Sequence, residues 1–194
     1  HVEVAQLLLA AGANPNAKSA DDRTPLMFAA ASTRVEMAQL LLAAGADLEV
    51  KNVDGYTPLT FATVQGRVEM AQLLLTAGAD LDAKDNSGYT PLKFATIQGR
   101  VELAQLLVTA GADLEVKDNS DNTPLMTAAI LGQVEVVQLL LAAGASLTAK
   151  DGRTVLDYAK PTCRPAILAA IEQRAESEPL TKSAAQGCAG GADQ

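Results

Sequence analysis

The chain has no tryptophan, and only three Phe, three Tyr, two Cys and one His among 194 residues. Each shortage excludes something. So few aromatics leave little on which unpaired bases could stack. Cys163 and Cys188 show no metal-ligand spacing and are too few for a disulfide framework, so they read as free thiols in a reducing compartment. A cytoplasmic location is the expectation on that basis. The one histidine is His1, at the very start, which leaves none within the chain for a catalytic or metal-binding constellation. No apolar run approaches the ~20 residues that span a bilayer. Cationic charge is short as well: 15 Lys and Arg stand against 23 Asp and Glu, a formal net charge of −8. That balance repels nucleic-acid phosphates and anionic membranes, so neither is expected as a partner. There is no Gly-rich phosphate loop and no Gly-x-Ser-x-Gly, and neither a cofactor nor a metal is expected.

What the chain has in abundance is self-similarity. Thr-Pro-Leu occurs at Thr24, Thr57, Thr90 and Thr123, always 33 residues apart, and an altered copy starts at Thr154. Val-Glu-x-x-Gln-Leu-Leu starts at Val2, Val35, Val68, Val101 and Val134 with the same period of 33. A period of this length means stacked units, each too small to bury its apolar face alone.

Residues 52–84 show how one unit is built. Val53-Asp54-Gly55 is turn chemistry. Thr57 fits a helix N-cap and Pro58 the first helical position, where a missing N–H costs nothing. Gly66 and Gly78 suit the left-handed positions that end two helices. Between them Glu69 favours a helix N-terminus, and Val68, Ala71, Leu74 and Leu75 mark one apolar face. The unit is therefore turn, short helix, turn, longer helix. Glu36, Glu69, Glu102 and Glu135 recur once per unit, a structural column rather than paired catalytic carboxylates, which would need two different environments.

This pattern resembles the ankyrin repeat. The resemblance rests on Thr-Pro-Leu-x-x-Ala at residues 24–29, 57–62, 90–95 and 123–128, and on Ala-Gly-Ala around Gly12, Gly45, Gly78, Gly111 and Gly144. It implies an all-α solenoid of helix-turn-helix units joined by β-turn fingers. The units are a partial one with the second helix only (1–17), four complete repeats (18–51, 52–84, 85–117, 118–150) and a C-terminal cap (151–175). Residues 176–194 are small and polar, and read as a flexible tail.

Departures from the family pattern carry information. The family usually has His after Thr-Pro-Leu, where it bridges loops. Met27, Thr60, Lys93, Met126 and Asp157 stand there instead, and a weakened inter-repeat network is the expectation. Asp22 and Asp121 replace the turn glycine, as residues that tolerate the left-handed region. Val155 replaces Pro, and Asp151-Gly152-Arg153 is two residues short. Pro165 is expected to open a final helix to about Ala175.

The resemblance also implies where a partner binds: the concave face, made of fingertips and the exposed side of each first helix. Carried over position by position, the tips are Ala20, Asp21 and Arg23; Val53, Asp54 and Tyr56; Asn86, Ser87 and Tyr89; Asn119, Ser120 and Asn122. The helix positions are Ala31 and Ser32, Val64 and Gln65, Ile97 and Gln98, Ile130 and Leu131. Within this set Val64, Ile97, Ile130 and Leu131 form an apolar stripe, with Tyr56 and Tyr89 at its edge. They serve either as partner anchors or as packing for neighbouring fingers. Lys18, Lys51, Lys84, Lys117 and Lys150 form a basic column, which is either suited to an acidic segment or a record of duplication.

Repeats 52–84 and 85–117 match at 24 of 33 places. Their differences concentrate at the tips (Asn52, Val53, Asp54 against Asp85, Asn86, Ser87) and on the first helix (Thr60 against Lys93, Val64 against Ile97). A fixed scaffold with changing tips suggests a recognition surface. The expected function is non-catalytic protein binding by a monomer. Two alternatives stand beside it. The chain begins inside a repeat, which suggests a regulatory or targeting arm of a larger enzyme or effector with its catalytic part N-terminal to His1. Its first helix, presenting Val2, Ala5, Leu8 and Leu9, could instead drive homotypic assembly.

Overall fold

The computed structural model describes residues 2–148 and 154–173. The helices are α1 (Val2–Ala10), α2 (Pro25–Ala30), α3 (Val35–Ala43), α4 (Pro58–Val64), α5 (Val68–Thr76), α6 (Pro91–Ile97), α7 (Val101–Thr109), α8 (Pro124–Leu131), α9 (Val134–Ala142) and α10 (Val155–Tyr158). Residues 164–173 form a further helix, α11, so the predicted final helix begins one residue before Pro165, and Ala175 lies outside the described residues. Among the described residues there is no strand, only a single antiparallel bridge between Thr148 and Thr154.

Each repeat makes its short helix in the same way. The Thr24, Thr57, Thr90 and Thr123 side chains accept the backbone N–H three residues on, at 3.4, 3.3, 3.3 and 3.3 Å, and a proline follows each. Each such cap contributes about 1 kcal/mol. Glycine at positive φ then ends the helices, as at Gly66 (+71°) and Gly78 (+94°).

The first helices α2, α4, α6, α8 and α10 pack side by side in one layer, and the second helices α1, α3, α5, α7 and α9 in the other. Neighbours on both sides enclose the inner first helices almost fully: Pro58 through Thr63 and Pro91 through Thr96 are all buried. The second helices bury one stripe each, Met70, Ala71 and Leu74 in α5 and Leu103, Ala104 and Leu107 in α7. Their outer face, with Glu69 and Gln72, stays in water. This is the amphipathic arrangement a two-layer stack requires.

The end of the stack differs from the sequence expectation in detail. In α1 the exposed large apolar residues are Val4, Leu7 and Leu8, with Leu7 the most open at 72%. Leu9 packs on the core and Val2 and Ala5 are half-buried. The helical phase is thus rotated from the expected Val2, Ala5, Leu8 and Leu9 stripe, because α3 covers part of that side.

Candidate protein-binding face

The fingers are held to one another through backbone bonds. Val53 N–H donates to Asp21 O (3.3 Å), Asn86 N–H to Asp54 O (3.1 Å) and Asn119 N–H to Ser87 O (3.1 Å). Side-chain amides add to this: Asn86 Nδ2 donates to Val53 O (2.9 Å) and Asn119 Nδ2 to Asn86 O (3.1 Å). Within the second, third and fourth fingers one side-chain oxygen gathers two amides. Asn52 Oδ1 accepts from Asp54 and Tyr56, Asp85 Oδ1 from Ser87 and Tyr89, and Asp118 Oδ1 from Ser120 and Asn122. The tips are therefore ordered and in register before any partner arrives, which lowers the entropy cost of binding.

Of the tip residues, Ala20, Val53, Asp54, Asn86, Ser87, Asn119 and Ser120 are exposed. Val53 is the one large apolar residue among them, open to 55%. Arg23, Tyr56, Tyr89 and Asn122 sit deeper and are half-buried. Tyr56 packs edge-on against Phe61 and Phe94 at 5.6 and 5.3 Å, and Tyr89 against Phe94 at 5.6 Å. The Arg23 guanidinium lies 5.2 Å over the Phe61 ring and its Nε is 2.7 Å from Asp21. Finger bases and first helices thus interlock through an aromatic ladder, with edge-to-face geometry worth about 1 kcal/mol per pair beyond burial.

At the helix ends, Gln65, Gln98, Ile130 and Leu131 are exposed, and Ala31, Ser32, Val64 and Ile97 half-buried. Ile130 and Leu131 are open to 38% and 40% at the end of a helix whose residues Leu125, Met126, Ala128 and Ala129 are fully buried. A further exposed apolar residue, Phe28 at 54%, is absent from the sequence-derived set. Its counterparts Phe61 and Phe94 are covered by Arg23, Tyr56 and Tyr89. The signal was available in the sequence: the residue before Thr-Pro-Leu is Arg23 in Phe28's own repeat, where the next two repeats have tyrosine.

The lysine column has a structural task. Lys51 Nζ donates to Lys84 O (2.8 Å) and Lys84 Nζ to Lys117 O (3.0 Å), each tying one repeat to the next. Lys18 instead lies 3.7 Å from Asp22. Lys117 is exposed, and Lys150 lies outside the described residues. A second, unforeseen column of cations caps the first helices from the following repeat. Arg67 Nε donates to Ala31 O (3.4 Å), Arg100 Nη2 to Val64 O (3.1 Å) and Lys160 Nζ to Leu131 O (3.1 Å). Each cation meets the negative end of a helix dipole, where the carbonyls have no intrahelical donor. Across the loops, carboxylates do the reverse: Glu49 Oε1 accepts from Asp80 N–H (2.9 Å) and Glu115 Oε1 from Ser146 N–H (2.7 Å).

The expected weakening of the inter-repeat network fails at one joint. Lys93 is buried, and its ammonium donates to Asn122 O (2.8 Å) and Thr123 O (3.2 Å) and pairs with Asp118 Oδ2 at 3.0 Å. Lys93 therefore replaces the missing bridge instead of varying on a recognition surface. Burial lowers the Lys93 pKa, and Asp118 counteracts this. For Asp118, burial alone would raise the pKa. The Asn122 N–H, the Lys93 hydrogen bond, the Ser120 N–H and the Lys93 charge outweigh it and hold the carboxyl below its ordinary value.

The Lys93 and Asp118 side chains are only 3% and 5% exposed and are engaged with neighbouring groups, which keeps them from a substrate. The Cys163 thiol is buried and its pKa raised, chiefly by that burial, which keeps it protonated and unreactive. An open cleft of about 540 Å³ between α9 and α11 is lined by Gln138, Leu141, Gln173 and small residues, without one ionisable group. Among the described residues no cluster of His, Cys, Asp or Glu could hold a metal, and no helix is long and apolar enough to cross a membrane.

Comparison with curated proteins finds no match. The sequence does match a protein family described as ankyrin repeats (3 copies), over residues 1–85, 49–118 and 72–151. With that match spanning most of the chain, and with capped helix pairs stacked in two layers beneath ordered fingers, the chain belongs to the ankyrin repeat family.

Proposed function

We propose that this chain is a non-catalytic module that holds another protein on the face made by its fingertips and first-helix ends. Ankyrin repeats are in general protein–protein interaction modules and are typically non-catalytic. The observation that favours this particular face is the exposed pair Ile130 and Leu131 at the end of an otherwise buried helix. They continue the apolar positions Val64 and Ile97 on the adjoining helices α4 and α6. Exposed Val53, Asn86 and Asn119 supply the facing rim. Apolar anchors flanked by polar groups on a preformed surface are what a protein interface needs. Tyr56 and Tyr89 contribute only the edges left open by the aromatic ladder.

The test is a paired capture from native lysate, read by mass spectrometry. One bait is the chain as it stands; the other carries Val53→Glu, Ile130→Glu and Leu131→Glu, all at exposed positions, with its folding checked by circular dichroism. A protein retained by the first and lost from the second supports the reading. Equal capture by both defeats it.

A second reading is homotypic assembly through α1, favoured by the exposed Val4, Leu7 and Leu8. Light scattering over a concentration series, with Leu7→Glu as the control, decides it; a mass that stays monomeric at every concentration rules it out.

A further inference from the structure

One position varies in step with the finger above it. In the first three Thr-Pro-Leu repeats the residue that follows is Met27, Thr60 or Lys93, and each is buried. The residue that organises the finger of the following repeat is, in the same order, Asn52, Asp85 or Asp118. Over apolar Met27 the organiser is neutral, and Asn52 meets its remaining need locally, with Nδ2 donating to Asp54 Oδ2 at 3.1 Å. Over Thr60 it is Asp85, which is only half-buried. Over Lys93 it is Asp118, whose side chain is 5% exposed. A carboxylate this deep is stable only beside a cation.

Asp118 also has two tasks at once. One oxygen, Oδ2, meets Lys93 Nζ at 3.0 Å, while the other, Oδ1, accepts the N–H groups of Ser120 (2.8 Å) and Asn122 (3.0 Å). Lys93 grips the finger a second time through Asn122 O and Thr123 O. The fourth finger is thus fastened to α6 of the preceding repeat through one ammonium.

From this geometry we infer that Lys93 is a positioning residue of the binding face. It fixes the tip Asn119–Asn122 by holding Asp118 in place, and Lys93 with Asp118 is a matched pair that can be exchanged only together. Without the ammonium, the buried carboxylate moves to solvent and takes the Ser120 and Asn122 amides with it. The functional meaning rests on the fingertip reading above, but the positioning itself is a property of the free protein and is tested there.

The experiment is residue-resolved amide hydrogen exchange on the full chain and two variants. In Lys93→Met, the Ser120 and Asn122 amides are expected to exchange at least about tenfold faster. Ser87 and Tyr89, held by Asp85 in the third finger, keep their rates and serve as the internal control. In Lys93→Met/Asp118→Asn, which brings the Met27 and Asn52 pairing to the fourth finger with Ser120 in the place of Asp54, protection at Ser120 and Asn122 returns to within about threefold of the parent. The inference is overturned if the single variant leaves the fourth finger unchanged, or if both fingers loosen equally. It is also overturned if the double variant remains as open as the single one. Should Lys93→Met fail to fold, the double variant alone decides: a folded chain with a protected fourth finger supports the pair, and a second failure to fold contradicts it.

Discussion

Gly55 and Asp22 hold the same place at the base of successive fingers, and both have positive φ, +86° and +60°. The glycine has a second reason to be there. A Cβ on it would lie 2.8 Å from the Asn86 backbone nitrogen and 3.0 Å from Asp85 Cα, in the next finger. Gly55→Ala is therefore expected to destabilise by more than about 1 kcal/mol, from both the conformation and the clash. Asp22→Gly removes left-handed strain and loses only an exposed contact to Lys18, so it should be neutral or mildly stabilising. Chemical denaturation of the two variants checks the contrast. The positive φ at Asp22 and Asp121 could be read from the sequence, since aspartate fell where the turn takes glycine. The task of Lys93 could not. On the sequence it is one of nine differences between two copies, and only the packed structure shows that the ammonium points inward at Asp118.

The same pair dictates a pH response. Asp118 has a folded pKa below the ordinary 3.8, so its contribution to stability is present above 3.8 and is lost as pH falls through the folded value. Burial lowers the Lys93 pKa from 10.5 against the pull of Asp118, so carrying the ammonium into the fold has a cost that is absent above 10.5 and complete once pH has fallen below its folded value. Replacing both, as Lys93→Met/Asp118→Asn, should give a shallower loss of Tm on acidification below 3.8 than the parent shows. Calorimetry across the acid range measures it, and identical acid limbs would contradict the assignment.

At the scale of the element, the first helices α2, α4 and α8 are started from within their own repeat and closed by a cation of the next. Thr90 and Pro91 start α6 from within its own repeat, and this start was legible in Thr-Pro-Leu. The end is closed from outside. For α4 that means the Arg100 guanidinium, donating to Val64 O at 3.1 Å and lying where a Cβ on Gly66 would be. Arg100→Ala should cost about 1 kcal/mol and speed exchange at the C-terminal end of α4, leaving its N-terminal turn unchanged. The sequence held Arg67 and Arg100 in plain view, but a contact across 36 residues appears only once the repeats are stacked. The tyrosines were ambiguous for the same reason. Alternation along one repeat cannot tell whether Tyr56 faces solvent or the Phe94 ring of the next, and it does the latter.

At the scale of the whole molecule, the period alone specified a two-layer stack, because no single helix pair can bury its apolar face without a neighbour. Composition removed nucleic acid and membrane from the expected partners. What neither period nor composition could rank was which columns face outward for a partner and which face a neighbouring repeat. The structure divides them physically: Lys51, Lys84, Arg67, Arg100, Glu49 and Glu115 bond to the adjoining repeat, whereas Val53, Ile130 and Leu131 project into solvent. The most direct test of the binding face is a hydrogen-exchange footprint of the chain with its captured protein bound. Protection is expected on the fingers at residues 52–56, 85–89 and 118–122 and at the ends of α4, α6 and α8, with α3, α5, α7 and α9 unchanged. Protection confined to the outer surface of those second helices, with the fingers as free as before, would contradict the account.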